Sequence, residues 1–240
     1  MGTGKTINPF PSLSGADAKI FLMNNDLRQS FCARLRSGRL LAILRDAPFA
    51  SLPELADCLR ATGVRFVEVA MNTPRAADQI LELRTLLADA AEVGAGTVLS
   101  EAMARQAQDA GATFLVSPAF VPEVQAYAEA HDLPTLPGAL TPTECWNAYQ
   151  AGAAMVKLFP AKCLGGPAYV KELRGPFREL PLLICGGVSA RTAGEYLQAG
   201  ADALAVGGSI FSPARLERGD FAGIREDLRA LLAAASGSGV

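Results

Sequence analysis

The residue best placed for covalent chemistry is Lys157, the single cation in Ala153-Ala-Met-Val-Lys-Leu-Phe-Pro160, near the end of an apolar run. An ammonium among apolar neighbours is costly to charge, which favours the free amine that attacks a ketone and forms an imine. Burial alone supports equally well a lysine that reaches the rim and binds an anion. Glu68 holds a matching position in Arg65-Phe-Val-Glu-Val-Ala70. If Phe66 and Glu68 share a strand face, the carboxylate points with an apolar neighbour and is suited to carry protons for a carbinolamine. It is also suited to pair with Lys157, and the two roles are compatible. Arg45, closing Ala42-Ile-Leu-Arg45, can clamp a carboxylate bidentately or form a rim salt bridge. Two diglycines follow apolar runs, Gly186-Gly187 and Gly207-Gly208, and Ser209 follows the second. Amides unshielded by side chains, with a hydroxyl beside them, make an anion pocket. One such pair alone reads as a tight turn; two at corresponding places favour a phosphate site.

These residues need a scaffold that gathers the ends of several strands. From Leu40 onward, short apolar runs alternate with helical stretches. The runs are Leu40–Leu44, Arg65–Ala70, Glu92–Thr97, Thr113–Ser117, Leu133–Leu136, Ala154–Leu158, Pro181–Cys185 and Ala203–Val206. Leu52–Ala61, Arg75–Ala88, Glu101–Ala110 and Pro142–Ala151 carry apolar residues at three- and four-residue spacing, as helices require. Gly63, Gly111, Gly152 and Gly200 follow predicted helix ends, while Ser51, Thr141 and Ser189 stand at predicted starts as capping residues. Eight strand–helix units predict a (β/α)₈ TIM barrel, an α/β fold whose function lies at the C-terminal strand ends. The absence of GxGxxG after the first strand disfavours a dinucleotide fold. The predicted organisation is an irregular extension over 1–26, one barrel over 27–235 with an additional N-terminal helix at Leu27–Arg36, and a flexible tail over 236–240.

Composition narrows the function classes. The 240 residues are half hydrophobic and carry a net charge of −2, with no basic stripe for nucleic acid. No apolar run reaches the ~18 residues of a membrane span, and no signal-peptide core opens the chain. Five widely spaced cysteines without a CxxC pair read as reduced thiols of a cytoplasmic protein. A single histidine, His131, cannot build a histidine-rich metal site and reads as a solvated surface residue.

The chain resembles the class I 2-keto-3-deoxy-6-phosphogluconate and 6-phosphogalactonate aldolases over about Leu40 to Phe211. The resemblance is carried by Ala42-Ile-Leu-Arg45, Val67-Glu-Val69, Gly94-Ala-Gly-Thr-Val98, Val116-Ser-Pro118, Pro137-Gly138, Val156-Lys-Leu-Phe-Pro160, Gly165-Gly166, Gly186-Gly-Val188 and Gly207-Gly-Ser209. It implies that Lys157 forms the imine and Glu68 is the general acid/base, with Thr97 and Pro118 beside pyruvate and Phe159 close to the imine. It assigns the phosphate to Gly186, Gly187, Gly207, Gly208 and Ser209. It also implies a homotrimer, no cofactor, no metal, and reversible cleavage to pyruvate and glyceraldehyde 3-phosphate. Asn72 stands where gluconate-specific members often carry arginine, and Cys185 where the family often carries threonine; both departures are similar to the galactonate type. Lys162 stands where many members carry glutamate. The alternatives are a 4-hydroxy-2-oxoglutarate aldolase, a phosphosugar isomerase or epimerase using Glu68 with Lys157 as its electrostatic partner, and a noncatalytic phosphosugar-binding barrel.

Overall fold

The computed structural model describes residues 15–237. Its strands are β1 (Leu40–Leu44), β2 (Phe66–Ala70), β3 (Glu92–Gly96), β4 (Leu115–Val116), β5 (Thr135–Leu136), β6 (Gly138–Ala139), β7 (Val156–Leu158), β8 (Leu182–Cys185) and β9 (Ala203–Val206). All paired strands run parallel, in the order β5-β4-β3-β2-β1-β9-β8-β7-β6. The ninth strand corrects the expectation of eight. The fifth predicted run ends at Leu136, and the extra strand β6 follows it across Pro137, which has no N–H to give the ladder and so separates the two. β5 stays with β4, and β6 crosses to β7. The Pro137 carbonyl still accepts from the Lys157 N–H at 2.9 Å, so the division joins both sheet ends and closes the TIM barrel.

The helices are α1 (Gly15–Gly38), α2 (Leu52–Thr62), α3 (Ala76–Leu87), α4 (Glu101–Asp109), α5 (Pro122–Ala130), α6 (Pro142–Gln150), α7 (Pro167–Arg174), α8 (Ala190–Gln198), α9 (Pro213–Glu217) and α10 (Phe221–Ser236). None is long and apolar enough to cross a membrane. The irregular extension was expected to reach Asp26, but helix begins at Gly15. Ala16 to Asp26 contains neither proline nor glycine, so nothing interrupts a helix there once Pro9 and Pro11 are behind. The rest of the extension, 1–14, and the tail positions 238–240 lie outside the described residues, while the predicted tail's first residue, Ser236, ends α10. Thr141 caps α6 through a reciprocal box with Glu144. Ser51 does not cap α2: its hydroxyl donates to the Pro48 carbonyl at 2.7 Å, because a short 3-10 turn delivers the chain into the helix.

Strand alternation divides the apolar residues into two cores. Leu40, Ala42, Leu44, Val67 and Val69 face outward and pack beneath the helices. Leu41, Ile43, Phe66, Phe114, Val116, Met155, Leu183 and Cys185 fill the barrel. Phe31, Cys32 and Leu35 of α1 belong to the inner cluster, so the helix plugs the N-terminal end as expected. The Phe31 ring lies 5.6 Å from Phe66 and 5.3 Å from Phe114, within the range where aromatic edges and faces attract.

Candidate active site

Glu68 follows Phe66 by two residues, and Lys157 follows Met155 by two. Period-two alternation therefore aims both into the barrel, one layer above the aromatic plug. Their side chains meet across the interior, with Lys157 Nζ 3.6 Å from Glu68 Oε1. Lys157 is 7% exposed and Glu68 1%. Both alternatives left open for Glu68 thus share one geometry: it is paired with the lysine and also sits beside it. Burial pushes the Glu68 carboxyl above the usual carboxylate range, and the charges of Lys157 and Arg45 only partly pull it back. Its Oε2 is buried with no hydrogen-bond partner. Such an orphan acceptor costs on the order of 1–3 kcal/mol, and it is available to a ligand hydroxyl.

Glycine makes room for this carboxylate. A Cβ at Gly96 would lie 2.5 Å from Glu68 Oε1, closer than any side chain tolerates. That requirement has no signal in the residue's own neighbourhood, since it is imposed from the adjacent strand.

The other site residues fall on two clefts beside the pair. Arg45, Gly186, Gly187, Gly207, Gly208 and Ser209 all line one of about 550 Å³. The two diglycines thus come together as the phosphate reading requires. Gly186 and Gly187 have φ of 102° and 81°, which a side chain would make strained. Pro118 and Phe159 line a second cleft of about 290 Å³. The Phe159 ring centroid is 5.8 Å from Lys157 Nζ, which puts the lysine close to this second cleft. Arg45 donates to Thr97 Oγ1 at 3.2 Å. Thr97 is held at φ 57°, rare for a β-branched residue and a mark of functional sites. Thr97 reaches the larger cleft only through Arg45, and Asn72 does not reach either cleft. Asn72 is exposed in the turn after β2.

Cys185 faces inward and lines the larger cleft, with its thiol pushed up by burial. Lys162, for which the sequence offered no physical role, lines the same cleft. His131 is exposed and stacks on Tyr127 with ring centroids 4.0 Å apart. Among the described residues no three His, Cys, Asp or Glu side chains gather as a metal ion would need.

A parallel barrel with a buried lysine–carboxylate pair and a diglycine-lined cleft after its last two strands points to the lysine-dependent aldolases as a class. The chain belongs to the KDPG and KHG aldolase family, whose model matches residues 32–226. It is 41% identical over 168 residues to the 2-dehydro-3-deoxy-phosphogluconate aldolase of Treponema pallidum, covering 70% of this chain and 79% of that one. It is 32% identical over 196 residues to a probable 2-dehydro-3-deoxy-6-phosphogalactonate aldolase of Rhizobium meliloti, covering 81% and 90%. The KDPG aldolase of Legionella pneumophila, solved with pyruvate captured as a covalent carbinolamine, superposes with a TM-score of 0.74 at 25% identity, over 80% of this chain and 93% of that one. Relatives of both epimer types are therefore found, and the one at 41% identity is not of the galactonate type suggested by Asn72.

Proposed function

We propose that the protein cleaves a 2-keto-3-deoxy-6-phospho sugar acid reversibly to pyruvate and glyceraldehyde 3-phosphate through an imine on Lys157. The observation that carries this reading is the pair itself, Nζ 3.6 Å from a buried carboxylate oxygen beside the diglycine cleft. The Lys157 amine attacks the C2 carbonyl to form a carbinolamine, and loss of water gives a protonated imine. Glu68 then takes the proton of the C4 hydroxyl as the C3–C4 bond breaks. The aldehyde leaves, and the electron pair settles on the imine nitrogen as an enamine. The same carboxyl returns its proton to C3, and water releases pyruvate and the free amine. A carboxyl raised above its usual range suits this two-way duty, because efficient proton carriers hold their proton near the working pH. The orphaned Oε2 gives it an atom to spend on the substrate hydroxyl.

In this reading Thr97, Pro118 and Phe159 bound the pyruvate pocket, Arg45 holds the carboxylate, and the diglycines with Ser209 hold the phosphate. The substrate is of the 6-phosphogalactonate or the 6-phosphogluconate type, and a difference of about 1–3 kcal/mol between C4 epimers leaves room for both. A 4-hydroxy-2-oxoglutarate substrate is the second reading, favoured by the family's dual description. The reading also includes a cytoplasmic homotrimer. All five cysteines are free, and light scattering should give the mass of three 25.1 kDa chains.

Borohydride reduction in the presence of pyruvate, followed by mass mapping, tests the proposal. It should add the reduced pyruvyl group to Lys157. A fully active enzyme that stays unlabelled there would exclude the imine.

A further inference from the structure

The cleft beside the diglycine bends holds a cation that the imine chemistry does not use. Lys162 lies in the one-turn 3-10 helix Ala161–Leu164 after β7, and it lines the same 550 Å³ cleft as Gly186, Gly187 and Ser209. Its stem lies against Gly187: a Cβ there would be 2.6 Å from Lys162 Cβ and 3.3 Å from its Cδ. The missing side chain at Gly187 is thus what lets the lysine cross the bend. Among the described residues Lys162 makes no ion pair. Arg45 and Asp46 also line the cleft and offset one another in formal charge, which leaves the Lys162 ammonium as the surplus positive charge.

We propose that Lys162 recognises the terminal phosphate of the substrate and sets this chain's selectivity for a phosphorylated over an unphosphorylated acid. The proposal rests on the phosphosugar reading above. A phosphate monoester carries about −1.5 to −2 charges near neutrality, more than backbone amides balance with their partial charges. An ammonium supplies a full charge, and its flexible stem lets it reach any of three phosphate oxygens.

The test compares wild type with Lys162→Met, which keeps the stem, and Lys162→Glu, which reverses the charge. Three quantities are measured: KM for the phosphorylated sugar acid, inhibition by inorganic phosphate, and the pyruvate concentration that half-saturates borohydride labelling of Lys157. Pyruvate has no phosphate, so its half-saturation reports the imine pocket alone. KM should rise about 10-fold in Lys162→Met and about 100-fold in Lys162→Glu, with phosphate inhibition weakening in the same order and pyruvate half-saturation staying put. A KM within about twofold of wild type in Lys162→Glu overturns the proposal, and so does an equal loss for pyruvate, which would mean general damage to the site. Wild-type protein that never labels at Lys157 would instead overturn the aldolase reading on which the proposal stands.

Discussion

The two ends of the barrel use the same device for opposite purposes. Gly94 and Gly96 are alternate residues of β3, so both face the interior. A Cβ at Gly94 would lie 2.4 Å from the Phe114 ring, and a Cβ at Gly96 would lie 2.5 Å from Glu68 Oε1. The lower glycine admits a ring that meets Phe31 and Phe66 and closes the N-terminal end. The upper one admits a carboxylate that stays buried with an unpartnered oxygen. Around the lower end the buried side of the Asp202 carboxylate is fully answered. Asp202 accepts from Arg36 at 2.8 Å, from Arg174 at 2.7 Å and from the Leu182 N–H at 2.7 Å. Around the upper end polar groups are left for a ligand. One end is therefore stabilised by its contents, and the other is destabilised by the groups that give it chemistry.

The sharpest way to separate the ends is Lys157→Ala. Turnover should fall by about 10⁴-fold or more, because the nucleophile is gone, while the circular dichroism spectrum stays native. Residual cleavage near wild-type rates would place the chemistry elsewhere.

Glu68→Gln should lower kcat by about 10²–10⁴-fold, the usual contribution of a positioned proton carrier. Its effect on stability should depend on pH. Burial raises the Glu68 carboxyl, so the folded state holds that proton more tightly than the unfolded chain does. The stability that this adds is full below the ordinary glutamate value of about 4.3 and is lost as pH rises through the folded value. Melting temperatures of wild type and Glu68→Gln, compared from about pH 4 to about pH 8, should therefore shift in favour of the glutamine protein. A constant difference would mean that the carboxyl is not raised.

Phe31→Ala acts at the other end, and should destabilise the fold by about 3–5 kcal/mol in urea titrations. Below the melting transition, labelling of Lys157 by pyruvate should be kept. Loss of labelling in folded protein would show that the plug also shapes the mouth.

The smallest and most direct comparison pairs Gly94→Ala with Gly96→Ala. The first should cost about 1–3 kcal/mol of stability through overpacking against Phe114, with kcat close to wild type in the folded fraction. The second should lower kcat more than stability, because the methyl group displaces the Glu68 carboxylate. Equal effects on both properties in both variants would dissolve the contrast between the ends.

Much of this was legible in the chain. The runs Leu40–Leu44 and Ala203–Val206 became β1 and β9 without a change of boundary, because an apolar run of four or five residues closely preceded by a glycine is too short for a buried helix. Lys157, Glu68 and both diglycines were visible as polar or small residues at the ends of such runs. Pro137 was visible too, but the extra strand beyond it was not, since that depends on which neighbour each segment can reach. Ser51 looked like a cap by residue type and was diverted by the preceding turn. The polarity of the N-terminal stretch concealed a helix that starts at Gly15.

The sequence by itself determined that strands and helices alternate, which residues face inward by period two, and that a lysine and a glutamate occupy strand ends. Local patterning reports such matters because each follows from a residue and its nearest neighbours. Only the tertiary structure decided that the lysine and the glutamate meet at 3.6 Å, that Gly96 is the space the carboxylate needs, and that Lys162 crosses Gly187 into the cleft. Those relations join residues from different strands and loops, and barrel closure alone fixes the distances between them.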